Sequence, residues 1–343
     1  MSLVSAPFSL FSSPPTSCMT LCTNGAIRLR SRRVDEIECM CVRPPMKFPA
    51  LLPPGSRVAL CAPAGPLRDE TDLERAIASV HACDWQAVVG AHVLERDGYL
   101  AGSDAHRLAD LNQFASDPTI DGVWCIRGGY GTTRLLDAID YEAWQRHPKA
   151  LIGYSDITAL HAAIGQRSAL ITFHGPTARA QLSPFSLASL LSATVAGTDS
   201  AGTAPDALTL QPGRAEGRLV GGNLSLVASL IGTRYEPSFD GAILVLEDVN
   251  EAVYRLDRMF TQLRLSGSLD QLAGIALGRF TEIPDEPASD SRPLLDLLYE
   301  VADQCAVPCL ADLPIGHTAD QWTIPLGATA ELDADNKTLM VIR

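Results

Sequence analysis

The stretch DGVWCIRGGYGTTRLLDAID, residues 121–140, is followed eight residues later by KALIGYSDITALHAAIGQ, residues 149–166. Each opens on a short apolar run, breaks at a glycine-bearing turn and continues with helical spacing. The same order stands upstream: SRVALCAPAGP (56–66) reads as a buried strand stopped by Pro and Gly, and DLERAIASVHAC (72–83) as the helix after it. Thr71 and Glu74 form a capping-box pattern for that helix. A strand around AVVGAHVLE (87–95) and a helix over 103–117, capped by Ser103, complete the run. Strands alternating with helices at this spacing predict a parallel sheet covered on both faces.

From residue 193 the chain becomes poor in large apolar residues and rich in Ala, Thr, Gly and Pro, which marks 193–216 as a linker between a domain at 46–192 and one at 217–343. In the second domain GRLVGGNLSLVASLIGT (217–233), GAILVLEDV (241–249), LAGIALGRF (272–280) and WTIPLGATAELDADNKTLMVI (322–342) read as strands. The last is a hairpin turning at Asp333–Lys337, and helices are expected near 251–265 and 291–305. The first 45 residues hold five arginines against three acids and are rich in Ser, Pro and Thr, the composition of a disordered tail or of a start placed too early.

Hydrophobic residues at 46% and charged residues at 20% describe an ordinary soluble protein. A net charge of −13 argues against a nucleic-acid partner, and no apolar run is long enough to span a membrane. Of nine cysteines, four lie in the tail without the spacing of a structural zinc site. Cys61, Cys83, Cys125, Cys305 and Cys309 fit buried free thiols.

Residues just past the carboxyl ends of parallel strands are where such sheets bind ligands. Arg127–Gly131 and Gly153–Asp156 both hold that position. Ser155 there is either a helix cap or a nucleophile. Gly153 removes a side chain where a sharp turn would crowd, but Ile157 stands where a G-x-S-x-G elbow needs its second glycine. The glycine turn RGGYG matches neither phosphate-binding pattern, and its N–H groups suit an oxyanion better. A base for Ser155 is sought among seven histidines. His317, in PIGH after an apolar run, ranks first and His174, in FHGP, second. Glu247 and Asp248 end six apolar residues and must find partners, either a histidine or an arginine such as Arg255 or Arg258.

In this order APAGP, RGGYG with RLLD, PKALIGYSDIT, FHGP, GGNLS, LEDVNEAVYRLDRMF and PIGH with IPLG resemble the LD-carboxypeptidase family of serine peptidases, which also contains microcin C self-immunity peptidases. The resemblance covers residues 47–343. It implies a flavodoxin- or Rossmann-like N-terminal domain with a parallel sheet, and a smaller β-rich C-terminal α/β domain of swivelling type. It implies Ser155 as nucleophile, Glu247 as orienting acid and His317 as general base. It implies an oxyanion hole made by the backbone N–H groups of Gly129 and Asp156; Arg127, by its position, and Asn223 are the substrate-binding candidates. The implied activity is removal of D-Ala from murein tetrapeptides during cytoplasmic peptidoglycan recycling, by a homodimer without metal or organic cofactor. After FHGP the chain enters a helix promptly, with Phe185 as its one aromatic, which favours murein peptides over the nucleotide peptides of the immunity branch. An α/β-hydrolase esterase or a non-catalytic binding protein are the rival readings.

Overall fold

The structure, a computed structural model, describes residues 45–284 and 292–342; the tail reading and its four cysteines therefore lie outside the described residues. Five strands alternate with helices through the first half: β1 (Arg57–Cys61), β2 (Gln86–Val89), β3 (Gly122–Cys125), β4 (Ala150–Gly153) and β5 (Thr172–His174). Between and after them lie α1 (Glu70–Ala82), α2 (Asp104–Ser116), α3 (Tyr141–Arg146), α4 (Thr158–Ser168) and α5 (Pro184–Leu191). The strands pair in parallel in the order β2-β1-β3-β4-β5, the flavodoxin-like arrangement.

Side-chain alternation divides this sheet's apolar residues between two cores. Ala59, Val123, Cys125 and Leu151 pack with residues of α2, α3 and α4, while Val58, Leu60, Trp124 and Ile152 pack with residues of α1 and α5. Burial on both faces is why these strands read as continuous apolar runs.

The second half adds β6 (Gly202–Thr203), β7 (Leu208–Gln211), β8 (Arg214–Asn223), β9 (Ala242–Val249), β10 (Gly274–Thr281) and β11 (Cys309–Ala311), then β12 (Ile324–Leu326), β13 (Thr329–Asp333) and β14 (Thr338–Ile342). Its helices are α6 (Leu224–Leu230), α7 (Val253–Leu265) and α8 (Leu294–Cys305). Eight strands form a mixed sheet ordered β6-β14-β13-β8-β9-β10-β11-β7, with β8 to β11 parallel. Strand β9 sits near its centre. Leu244 and Leu246 face α6, α7 and α8, and Ile243 and Val245 face Leu313, Ile315 and Trp322 of the segment after β11.

Several expectations change. Strand β12 pairs antiparallel with β5 in the first sheet, Ile324 opposite His174, although the sequence placed it with the second domain. Residues 193–216, read as a linker, contain β6, β7 and the start of β8, all strands of the second sheet. The run 217–233 is a strand only to Asn223, whose side chain accepts from Leu226 N and starts α6. Helix α1 is capped by Asp69, which accepts from Thr71 N, and not by Thr71 itself. Residues 91–94 leave β2 for a turn. The hairpin at Asp333–Lys337 and the Ser103 cap of α2 form as expected. Cys61, Cys83, Cys125 and Cys309 are buried free thiols, and Cys305 is half-buried. Among the described residues no helix is long and apolar enough to cross a membrane.

Candidate active site

Strand β4 ends at Gly153, and a 3₁₀ turn over Ser155–Ile157 leads into α4 at Thr158. Between them Ser155 sits at φ 65°, a left-handed conformation that costs a non-glycine residue on the order of 1–3 kcal/mol. No side chain caps the helical turns that follow, and the Ser155 hydroxyl has no hydrogen-bond partner among the described residues. The strained, unoccupied hydroxyl is the opposite of a capping serine. A Cβ on Gly153 would meet Ile157 at 3.1 Å and Cys125 at 3.2 Å, so the turn is tight where the sequence suggested.

The glycine turn after β3 packs directly against this serine. A Cβ on Gly128 would fall 2.8 Å from the Ser155 Cβ, so only glycine lets the two turns approach. Asp156 fastens them: its carboxylate accepts from Thr132 N at 2.8 Å, and its carbonyl accepts from Thr132 Oγ1 at 2.6 Å. Burial pushes the Asp156 carboxyl above its ordinary pKa, and the Thr132 hydrogen bonds oppose that rise. On the other side, Gly65 N donates to Gly128 O, joining the APAGP turn after β1 to the same assembly.

Glu247 and Asp248, adjacent on β9, point to opposite faces. Asp248 accepts from Asn223 Nδ2 and from the backbone and hydroxyl of Ser225, which anchors α6. Glu247 is fully buried, and its Oε2 lies 2.7 Å from His317 Nδ1. The arginine alternatives are not used: Arg255 pairs with Glu251 instead. His317, with 20% of its side chain exposed, is carried by the segment after β11. That segment closes on Glu247 because Gly316, at φ 97°, lacks the Cβ that would sit 2.6 Å from both Cβ and Cγ of Glu247.

Tyr154 connects the two halves, and the sequence reading missed it. Its ring lies 4.7 Å from the His317 ring and 6.1 Å from that of His174. Burial, then the charge of Glu247, raise the Tyr154 phenol above its usual pKa. His174 is fully buried with neither ring nitrogen hydrogen-bonded among the described residues, and burial holds its pKa well below the ordinary value. His161 Nε2 donates to Gly153 O, 2.8 Å away.

The other expected positions divide. Arg127 is half-buried and donates to Pro66 O. Asn223 is buried, with its amide engaged at both ends by Asp248 and Leu226 N, which makes it a cap and an anchor. A cavity of about 660 Å³ opens beside Gly129, Tyr130 and Asp156, and Ser225, Arg234 and Tyr235 line its far wall. One group of metal-type ligands, His92, Glu95 and His106, clusters among the described residues. Each histidine there already bonds a carboxylate, Asp110 or Glu95, at 2.7 Å, and the two rings stack.

The LD-carboxypeptidase N-terminal domain family matches residues 58–175, and the LD-carboxypeptidase C-terminal domain family matches residues 216–332. The chain belongs to the LD-carboxypeptidase family. The murein tetrapeptide carboxypeptidase of Pseudomonas aeruginosa is 40% identical over 300 residues, covering 82% of this chain and 95% of that one. The crystal structure of muramoyltetrapeptide carboxypeptidase from Oxalobacter formigenes is similar with a TM-score of 0.75 and 29% identity, over 83% of this chain and 98% of the other. The wild-type apo structure of the microcin C7 self-immunity protein has a TM-score of 0.80 and 26% identity, over 88% and 99%. Membership in the LD-carboxypeptidase family makes the chain a hydrolase of the carboxypeptidase type, and the candidate site draws on both family segments: Ser155 lies in the first, Glu247 and His317 in the second.

Proposed function

We propose that the chain is a serine L,D-carboxypeptidase that removes the terminal D-Ala from murein tetrapeptides in cytoplasmic peptidoglycan recycling. In this reading Ser155 is the nucleophile, His317 the general base and Glu247 the acid that orients it. The observation that carries it is the 2.7 Å bond between His317 Nδ1 and buried Glu247, in a chain whose Ser155 is strained and uncapped. A carboxylate on Nδ1 fixes the proton there and leaves Nε2 with its lone pair, the tautomer a base needs.

The steps follow from those positions. Substrate brings Nε2 of His317 and the Ser155 hydroxyl to a common proton, a contact that tightens only in the complex. Ser155 Oγ attacks the carbonyl before D-Ala, His317 takes the proton, and the oxyanion is met by the backbone N–H groups of Gly129 and Asp156. His317 then returns the proton to the leaving amine, and water releases the acyl group by the same route in reverse. The acyl arm of the peptide has room in the cavity beyond Gly129 and Asp156. The enzyme works as a homodimer.

The likeness to the immunity protein, also solved in complex with aspartyl sulfamoyl adenosine, supports a second reading, hydrolysis of an aminoacyl sulfamoyl adenylate. Against it, helix α5 starts at Pro184, ten residues after His174, and Phe185, 43% exposed, is the aromatic that segment offers. Purified protein is given a disaccharide tetrapeptide and the adenylate in parallel. Release of D-Ala supports the murein reading, and cleavage of the adenylate alone overturns it.

A further inference from the structure

We propose that Arg127 and Arg179 together receive the free C-terminal carboxylate of the peptide substrate and so impose the requirement for an unblocked chain end. This rests on the carboxypeptidase reading above and adds to it a residue, Arg179, that the sequence did not single out.

Backbone pairing brings the two arginines together. Ala178 N donates to Cys125 O at 3.0 Å and Arg179 N to Ile126 O at 3.3 Å, so the segment after β5 runs beside the end of β3. Arg127 follows Ile126 directly, and Gly128 after it packs on Ser155. Two guanidinium groups therefore leave the backbone within a residue or two of the turn that touches the serine.

Their charge is poorly matched within the protein. In a chain of net charge −13, Arg68, Arg96 and Arg179 all act on Arg127, and burial with these like charges pushes its pKa below the ordinary value. The acid among them is Asp72, 1% exposed and shared three ways. Its Oδ2 accepts from Arg68 N at 3.0 Å, and its Oδ1 lies 3.3 Å from Arg75 and 3.5 Å from Arg179. Arg179 Nε is buried without a hydrogen-bond partner among the described residues. Arg179, which shares Asp72 with Arg75, and Arg127, which has no ion pair among the described residues, leave donors and positive charge for an incoming anion, and a carboxylate matches the planar fork of a guanidinium.

In this proposal the pair stands on the leaving-group side of the scissile bond. The charge of Arg179 reaches the Tyr154 phenol, and the Tyr154 ring packs on His317. His317 delivers its proton to the leaving amine, and in a terminal amino acid the carboxylate stands one carbon beyond that amine. A carboxamide or a longer chain placed there would leave the cations unmatched, which is how a buried polar site rejects an analogue.

The test compares a murein tetrapeptide with the same peptide ending in a carboxamide, using the full-length protein and its Arg127→Met and Arg179→Met variants. Wild-type protein is expected to favour the free acid by about 100-fold or more in kcat/KM. Each Met variant is expected to lose about 30-fold or more on the acid, mostly through KM, with little change on the amide. Arg179→Lys, which keeps the charge and loses the fork, should recover part of the loss and keeps the question open to measurement if a Met variant does not fold. Folded Met variants that retain the wild-type ratio of acid to amide overturn the inference alone. Wild-type protein that releases neither D-Ala from the acid nor D-alaninamide from the amide overturns the carboxypeptidase reading itself.

Discussion

Gly316→Ala is the smallest change that should disconnect Glu247 from His317, the proposed acid and base. The added methyl would stand 2.6 Å from Cβ and Cγ of Glu247, where carbon atoms ordinarily rest about 3.5 Å apart. Glu247 is fully buried in the middle of a two-faced core and has no room to retreat, so the segment bearing His317 must recede by about 1 Å. The alanine must also hold φ near 97°, which adds roughly 1–3 kcal/mol of backbone strain. A displacement of about 1 Å at a catalytic group lowers turnover on the order of 100-fold. The assay is D-Ala release under single-turnover conditions beside a thermal melt, with a fall of several degrees expected in the melting midpoint. Activity within threefold of wild type would refute the reasoning, because it would mean that His317 works without close packing on Glu247.

Ser155→Ala should abolish D-Ala release and raise thermal stability slightly by removing a hydroxyl-bearing side chain that caps nothing; undiminished turnover removes Ser155 as nucleophile. His317→Ala should abolish turnover and lower the melt, because the buried Glu247 carboxylate loses its partner, and full activity would transfer the base to His174. Glu247→Gln should cost about 10⁴-fold in kcat through loss of the correct tautomer, read in steady-state kinetics. Acid stability follows from His161, whose pKa burial lowers to about 4. Its unfolded form binds a proton near pH 6.5, so its contribution is present above that pH and lost as the pH falls toward 4, about 3 kcal/mol in all. Urea midpoints measured from pH 7 to pH 4 should fall accordingly, and a flat profile would contradict the burial argument.

Local order was legible wherever a single segment decides it. The strand, turn and helix around Ser155 follow from the apolar run Leu151–Ile152 and the glycine after it, and the split between Glu247 and Asp248 follows from strand alternation. Partners distant in sequence were not legible. Nothing in IPLG says that Ile324 will lie beside His174 in the first sheet, 150 residues away, because a three-residue apolar strand fits either sheet equally. Strands β6 and β7 were lost for a related reason: both are short edge strands that bury little, Gly-Thr and Leu-Thr-Leu-Gln, set in a stretch whose Ala, Thr, Gly and Pro read as a loop. Arg179 carried no local mark at all, since its meaning comes from the neighbouring turn at Arg127. Asn223 was marked by its motif, and the structure shows its amide committed to Asp248 and to the start of α6.

The strand β12 has a consequence for how the chain comes into being on the ribosome. The N-terminal sheet, though encoded in the first 174 residues, keeps the outer edge of β5 open until Ile324–Leu326 has been synthesised and has emerged. That edge is a row of unmet backbone groups, inviting mispairing with other nascent chains. Sealing it draws in the segment between His317 and Ile324, so the last sheet contact to form on the first domain also ties down the loop that bears the imidazole. A chain terminated before residue 324 would thus be left with both an unfinished sheet and a slack base, and the two defects should appear together.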